Sequence, residues 1–312
     1  MRTNKRPFTI KRRAFQEAIS FNPKIRQSLS ILCLALSTAA GTFAAEPPKT
    51  ATASEVIVPR EVIRLFNGRD LSSFYTWLVD FHREDPHRVF SVVDQVDGAP
   101  AIRVSGQYLG GLYTKQRFAN YRLVAEFRWG LATWGNRTNA TKDSGVLLHC
   151  SGRDGNYLSK TFNGPWMRSY EFQIIEGGVG DLLVLGGYEP DGSIQKYFAT
   201  ATVTKDRDGE PCWDAKGKAT VFETGRVNWW GRDPDWADKL GYRGRQDVES
   251  PGGEWTHIEA VCAGDTLDYF VNGKRVNQTS ELSHKSGQLI FQSEGAEIYF
   301  RRIELHPLLT PK

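Results

Sequence analysis

The 312-residue chain predicts an all-β fold, a jelly-roll sandwich of two antiparallel sheets. Three observations carry this. Beyond residue 55 the apolar residues recur mostly at every second position, the period of a strand with one face buried. No helical period lasts ten residues. Turn residues interrupt the pattern at short intervals, leaving fifteen candidate strands.

The first segment is not part of that pattern. Residues 1–28 hold eight Lys or Arg and one acidic residue, and an apolar run, Leu29–Leu36, follows with small residues and Pro47-Pro48. This is the layout of a secretory leader, cleaved after Ala44 or Ala45; a disordered basic tail is the alternative. The run is too short to span a bilayer. Cys33 follows Ile31-Leu32, not the small residue a lipoprotein leader needs, so no stable membrane anchor is expected. The protein is therefore expected to be exported, to a periplasmic or extracellular location. Without residues 1–45 the chain has 32 basic against 35 acidic residues, net −3, which removes the electrostatic case for nucleic acid. Residues 46–55, "EPPKTATASE", form a polar linker, and residues 56–312 are expected to form a single domain.

Within the domain the candidate strands run "EVIRLF", "FYTWLV", "VFSVV", "AIRVSG", "GLYTKQ", "YRLVAEFRW", "SGVLLHC", "YEFQII", "DLLVLGG", "KYFATATV", "TVFET", "WTHIEAVCAG", "TLDYFVNGKRV", "GQLIFQSEG" and "AEIYFRRIEL". "YRLVAEFRW" alternates cleanly, with Leu123, Ala125, Phe127 and Trp129 on one face. Asn272-Gly273 is the strongest hairpin signal, because both residues of a type I′ turn need positive φ. Residues 205–254, rich in Trp, Gly and charge, are expected to be an irregular insert of binding loops. Cys150, Cys212 and Cys262 are an odd set, so at least one is unpaired, and no disulfide is expected.

No HExxH, P-loop, GxSxG or paired CxxC motif occurs, so zinc-protease, nucleotide-binding and serine-hydrolase readings have no support. "DFHREDPH", with Asp80, His82, Asp85 and His87, matches no metal spacing and reads as a solvated loop. "SYEFQIIEGG" is more informative. On a strand Glu171 and Gln173 share a face. Glu176 points the other way unless a β-bulge after Gln173 absorbs one residue. Two carboxyls so joined would suit a retaining glycosidase, though the residue between them is Gln rather than Asp. In "KDSGVLLHC", Gly145, Leu147 and His149 alternate on one face, with Asp143 close by. His149 suits a general base or a metal ligand because it titrates near neutrality. Exposed Trp faces could stack on sugar rings.

Together these stretches resemble the 3-keto-disaccharide hydrolase domain family. "RLFNGRDLSSF", "GGLYTKQRFANYRLVAEFRW", "DSGVLLHC", "YEFQIIEGG", "EWTHIEAVCAGDTLDYFVNGKRV" and "GQLIFQSEGAEIYFRRIELHPL" follow that family's segments in order, over residues 61 to 307. The resemblance implies a concanavalin A-like jelly roll. It implies cleavage of glycosides already oxidised to a ketone at C3. The ketone acidifies the C2 hydrogen, a base removes it, the glycosidic group leaves, and water adds back. Glu171 and His149 are then the acid/base candidates, with Glu176 and Asp143 as lesser ones. Gln173, Arg128 and Gln292 would orient the substrate. Trp166, Trp229, Trp230 and Trp236 would hold the ring, and Lys115 would be a further substrate contact. No motif demands a cofactor; a divalent metal stays open. Where the family has Arg, this chain has His149; where it has a His near the end, this chain has Ser293-Glu294-Gly295; and Glu176 replaces an Asp. His149 is expected to take over the role of that missing His. Two other readings share the fold: a non-catalytic glycan-binding module, and a retaining β-glucanase using Glu171 and Glu176.

Overall fold

The computed structural model describes residues 55–308. The predicted leader, its cleavage site and all of the linker but Glu55 lie outside the described residues. Among the described residues nearly all regular structure is β-strand, and the one helical turn is the 3₁₀ segment Gly135–Arg137.

One sheet has seven strands: β1 (Phe74–Leu78), β2 (Gly110–Thr114), β3 (Asp143–Ser151), β4 (Arg168–Ile175), β5 (Leu182–Leu185), β6 (Gly225–Val227) and β7 (Gln288–Ser293). Their spatial order is β6-β5-β4-β3-β7-β2-β1, every neighbour antiparallel. The second sheet is built on two long strands, Tyr121–Thr133 and Ala296–Pro307, which pair with each other. Thr256–Ala263, Thr266–Val271 and Lys274–Thr279 extend it on one side, and Ala99–Val104 and Phe90–Val96 on the other; Ile63–Arg64 adds to Ala296–Pro307. This is the antiparallel sandwich the period-two pattern predicts.

Alternation builds the interior. Tyr170, Phe172 and Ile174 of β4, Val146 and Leu148 of β3, and Leu289 and Phe291 of β7 face Leu123, Ala125, Phe127, Tyr269 and Phe300 of the second sheet in one cluster. Phe172 stacks on Tyr269 at 4.3 Å, and the Phe291 and Phe300 rings meet edge-on at 5.2 Å. Each such side chain contributes about 1.5–3 kcal/mol by leaving water. The Asn272-Gly273 turn has φ of 47° and 77°, as its sequence demands. Cys150, Cys212 and Cys262 are all free and buried.

The 205–254 insert is more ordered than expected. Pro211–Trp213 and Lys218–Phe222 pair with Ala199–Lys205 in a small sheet, and β6 joins the edge of the seven-stranded sheet. That last strand matters because it delivers Arg226 to the row Glu171–Leu183–Arg226 across β4, β5 and β6.

Candidate active site

The outer face of the seven-stranded sheet carries Glu171 and Gln173 from β4, Asp143, Gly145 and Leu147 from β3, and Ile290 and Gln292 from β7. They are outward because their neighbours Phe172, Val146 and Phe291 belong to the interior. Loops fold over this face, so Glu171 and Asp143 are each 3% exposed and Gln292 is fully buried.

Buried carboxyls need compensation. Asp143 has it: Oδ1 accepts from Gln173 Nε2 at 2.5 Å, and Oδ2 contacts the Arg137 guanidinium. Burial still pushes it up to about 6, against the pull of Arg137 and Arg226. Glu171 has less. Burial first, then the Asp143 charge, pushes it up to about 8, with Arg226 and Gln292 opposing. Glu294 sits where the chain turns from β7 into the second sheet, beside Gly295 with φ of 82°. It is half-buried, and desolvation with the charges of Asp143 and Glu171 raises it well above the usual carboxylate range. Three carboxyls that cannot all ionise together thus share one site. Asp143 is the more readily ionised of Asp143 and Glu171, and Glu171 gives up its proton only towards about pH 8.

Two neutral groups complete it. The Tyr157 hydroxyl is pushed up to about 12 by desolvation first and then by the charges of Glu171 and Glu294. The Gln292 carboxamide makes no well-aligned hydrogen bond among the described residues, though it is near enough to Glu171 to help hold that carboxyl down. Gly145 leaves room for it: a Cβ there would land on Gln292 Oε1 and lie 2.8 Å from Glu171 Oε1. A buried amide so loosely held beside carboxyls is a candidate seat for ligand hydroxyl or carbonyl groups. Glu294 and Tyr157 are half-buried, more exposed than Glu171, Asp143 and Gln292.

The other candidate residues are placed as follows. No bulge follows Gln173: pairing between β3 and β4 is continuous from Tyr170 to Ile175. Glu176 lies just past the strand and latches the insert. Its Oε2 accepts from the Lys142 and Gly241 backbone N–H at 3.0 and 2.8 Å, and its carbonyl accepts from Trp236 Nε1 at 2.9 Å. The irregularity falls instead at the other end of β3, where His149 and Cys150 oppose the single Ser169. His149 there has φ of 53° and turns into the interior, corrected from the outward position that simple alternation assigns it. Its ring meets Tyr121 and Tyr170 edge-on at 5.8 and 6.3 Å, and its Nδ1–H donates to the His284 carbonyl at 3.0 Å. Burial pushes it down to about 4, so it stays neutral.

Arg128 is on the far sheet, pairing with Asp97 at 2.5 Å, and takes no part in this cluster. Trp166 is 8% exposed and packs on Tyr157 at 6.0 Å while donating to the Gly110 carbonyl at 2.8 Å. It braces the wall of the site. Trp229 is buried in the core. Trp230 is exposed and donates to the Arg275 carbonyl at 2.8 Å, on the strand Lys274–Thr279 of the second sheet. Trp236 lies under the Arg232 guanidinium at 4.4 Å. Lys115 lies at the opposite end of the same face, lining a cavity of about 1070 Å³. In "DFHREDPH", His82 stacks on Trp77 at 4.9 Å and Asp85 caps the Val89 and Phe90 N–H groups, so this segment is a structural loop. Among the described residues no group of three or more His, Cys, Asp or Glu is arranged to hold a metal ion.

Sequence reasoning missed Glu294, Arg137, Arg226 and Tyr157. Only Glu294 left a signal, as the acid standing where the resembling family has a His.

Comparison with known proteins gives a consistent setting. Residues 61–306 match the 3-keto-alpha-glucoside-1,2-lyase-like domain. Two solved structures from Parabacteroides distasonis, each described as a candidate glycosyl hydrolase, align at 15% and 17% identity. They cover 80% of this chain and 94% and 100% of their own, with TM-scores of 0.44 and 0.42. A Bacillus licheniformis β-glucanase aligns at 8% identity over 79% of this chain and 97% of its own, with a TM-score of 0.36. No curated protein matches the chain in sequence.

Proposed function

The chain belongs to the 3-keto-alpha-glucoside-1,2-lyase-like domain family, and from that premise we propose that it cleaves 3-keto-glycosides by elimination across C1 and C2. The observation that carries this reading is the gathering of Glu171 and Asp143 over Gly145 beside the buried Gln292 amide, with Glu171, Asp143 and Glu294 all held above the usual carboxylate range. Carboxyls whose protons are held towards neutral pH can serve as acid or base.

In this reading Glu171, titrating near the working pH, takes the C2 proton. The electron pair passes into the C3 ketone, whose oxygen is stabilised by the Gln292 amide and the Tyr157 hydroxyl. The C1–O bond breaks as Glu294 protonates the departing oxygen. A C1=C2 double bond remains, and water adding across it completes a net hydrolysis. Asp143 has both oxygens occupied, by Gln173 and Arg137. It positions the site and keeps Glu171 high rather than touching substrate. The protein is also proposed to act outside the cytoplasm after loss of residues 1–45; the N-terminal sequence of protein recovered from the periplasm or medium checks this.

The test uses a 3-keto-disaccharide deuterated at C2, beside its unoxidised parent. Glu171→Gln should lose both deuterium washout and cleavage, by about 10²–10⁴-fold. Glu294→Gln should keep washout and lose cleavage. For the unsubstituted enzyme kcat/KM should rise through about pH 8 as Glu171 loses its proton. Cleavage of the parent sugar at a similar rate, or full turnover by Glu171→Gln, would overturn the proposal.

A further inference from the structure

The outer face has a second feature that the carboxyl site does not use. Some four residues along β7 from Gln292, about 13 Å at strand rise, Gln288 opens onto the 1070 Å³ cavity. Its charge is one-sided. Arg83, Lys115, Arg117 and Arg153 line it, against one carboxylate, Asp154. Asp154 is already taken: it accepts from Arg83 Nε and Nη2 at 2.9 and 2.7 Å and from the Tyr75 hydroxyl at 2.8 Å. Lys115 donates to the Ser72 carbonyl at 2.8 Å, an uncharged partner. Among the described residues Arg117 and Arg153 have no carboxylate partner within 4.0 Å. The cavity therefore holds three uncompensated positive charges, in a domain whose sequence is net acidic once the leader is set aside.

Its walls also select a shape. The Arg83 guanidinium carbon lies 4.5 Å from the centroid of the Tyr75 ring, and that of Arg153 4.7 Å from the Phe162 ring. Arg83 spends Nε and Nη2 on Asp154, whereas the Arg153 guanidinium, held against Phe162, keeps its N–H groups for an anion. Ser151, Asn163 and Gln288 add neutral polar groups that can meet hydroxyls.

We propose that this cavity is a binding site for the anionic substituent of an acidic saccharide, either a uronate carboxylate or a sulfate ester. The proposal rests on the carbohydrate reading above but not on the keto-sugar chemistry. It extends the ligand class to acidic sugars gripped one short oligosaccharide's reach from the carboxyl site.

The test is equilibrium binding, read by tryptophan fluorescence from Trp77 and by calorimetry, which needs no turnover. The probes are a uronate trisaccharide, a sulfated trisaccharide, a neutral trisaccharide and inorganic sulfate. At least one acidic trisaccharide should bind roughly tenfold or more tighter than the neutral one, with affinity falling as salt is raised. Which acidic sugar binds tells carboxylate from sulfate. The double substitution Arg117→Gln/Arg153→Gln should cost roughly tenfold or more, and Arg117→Lys/Arg153→Lys less. Glu171→Gln should leave this affinity within about twofold, so loss of keto-sugar turnover and loss of acidic-sugar binding are separate results. Equal affinity for neutral and acidic sugars, indifference to the double substitution in folded protein, or binding of inorganic sulfate as tight as any sugar would overturn the proposal.

Discussion

Gly145 shows how much one absent atom can carry. Its Cα is the floor on which the Glu171 carboxyl and the Gln292 amide rest, and there is no volume for a methyl group. Gly145→Ala should cost about 1–3 kcal/mol in stability, the usual toll of overpacking, and lower kcat at least tenfold by displacing both groups. Thermal unfolding and turnover on a 3-keto-disaccharide check the two parts. Activity at the unsubstituted level would mean that neither group acts on substrate. The residue scale is also where sequence reading did least. Glu171, Gln173, Asp143 and Gln292 do gather, because alternation along regular strands is enough to place them. His149 does not join them, because a single left-handed residue reverses the face. A bulge leaves no mark in apolar periodicity. Arg226 and Tyr157 reach the site from a short edge strand and a loop, where pattern is silent.

At the scale of elements, the Glu176 latch explains how a long polar insert is held. Two backbone N–H groups end on its carboxylate and one indole N–H on its carbonyl. The tethered segment then sets Asp238 against Thr141 and Arg137, at 2.6 Å and 3.2 Å, and Arg137 in turn against Asp143. Glu176→Ala should therefore speed proteolytic cleavage between residues 236 and 245 and lower kcat by about tenfold without abolishing it. A retaining glucanase would instead lose turnover on removal of either carboxyl of its pair. Strands were legible at this scale: "YRLVAEFRW", the Asn272-Gly273 hairpin and the paired closing strands all form as patterned. The insert was not, because three-residue strands such as Gly225–Val227 are too short to show a period.

Over the whole molecule, two buried carboxyls, Glu171 and Glu249, are each pushed up to about 8 by burial. Trp129 Nε1 donates to Glu249 at 2.6 Å, but the other Glu249 oxygen has no partner among the described residues. Both residues are protonated when folded and ionised when unfolded between the ordinary glutamate range and about pH 8. The folded state binds more protons in that window, so their stabilising contribution is full below about pH 4.5 and is lost as pH rises to about 8. Melting temperature should fall over this interval, and Glu171→Gln or Glu249→Gln should flatten the fall. A melting temperature that climbs from pH 5 to 8 would contradict this.

The three cysteines give a last consequence. All three are buried, and burial pushes the Cys212 and Cys262 thiols up to about 12 and the Cys150 thiol well above its ordinary range. A buried, protonated thiol does not react until the structure around it opens. Folding then asks nothing of an oxidising environment, and the domain should reach the same state with or without reductant. The thiols also act as built-in clocks. Cys150 sits within β3, Cys262 on the opposite sheet, and Cys212 at the edge of the insert. Labelling by a neutral alkylating reagent should be fastest at Cys212. Cys150, packed in the outer-face cluster with Trp77, Tyr113 and Ile290 beside the cavity, should label faster than Cys262, which lies between the sheets and reports the rate at which they part.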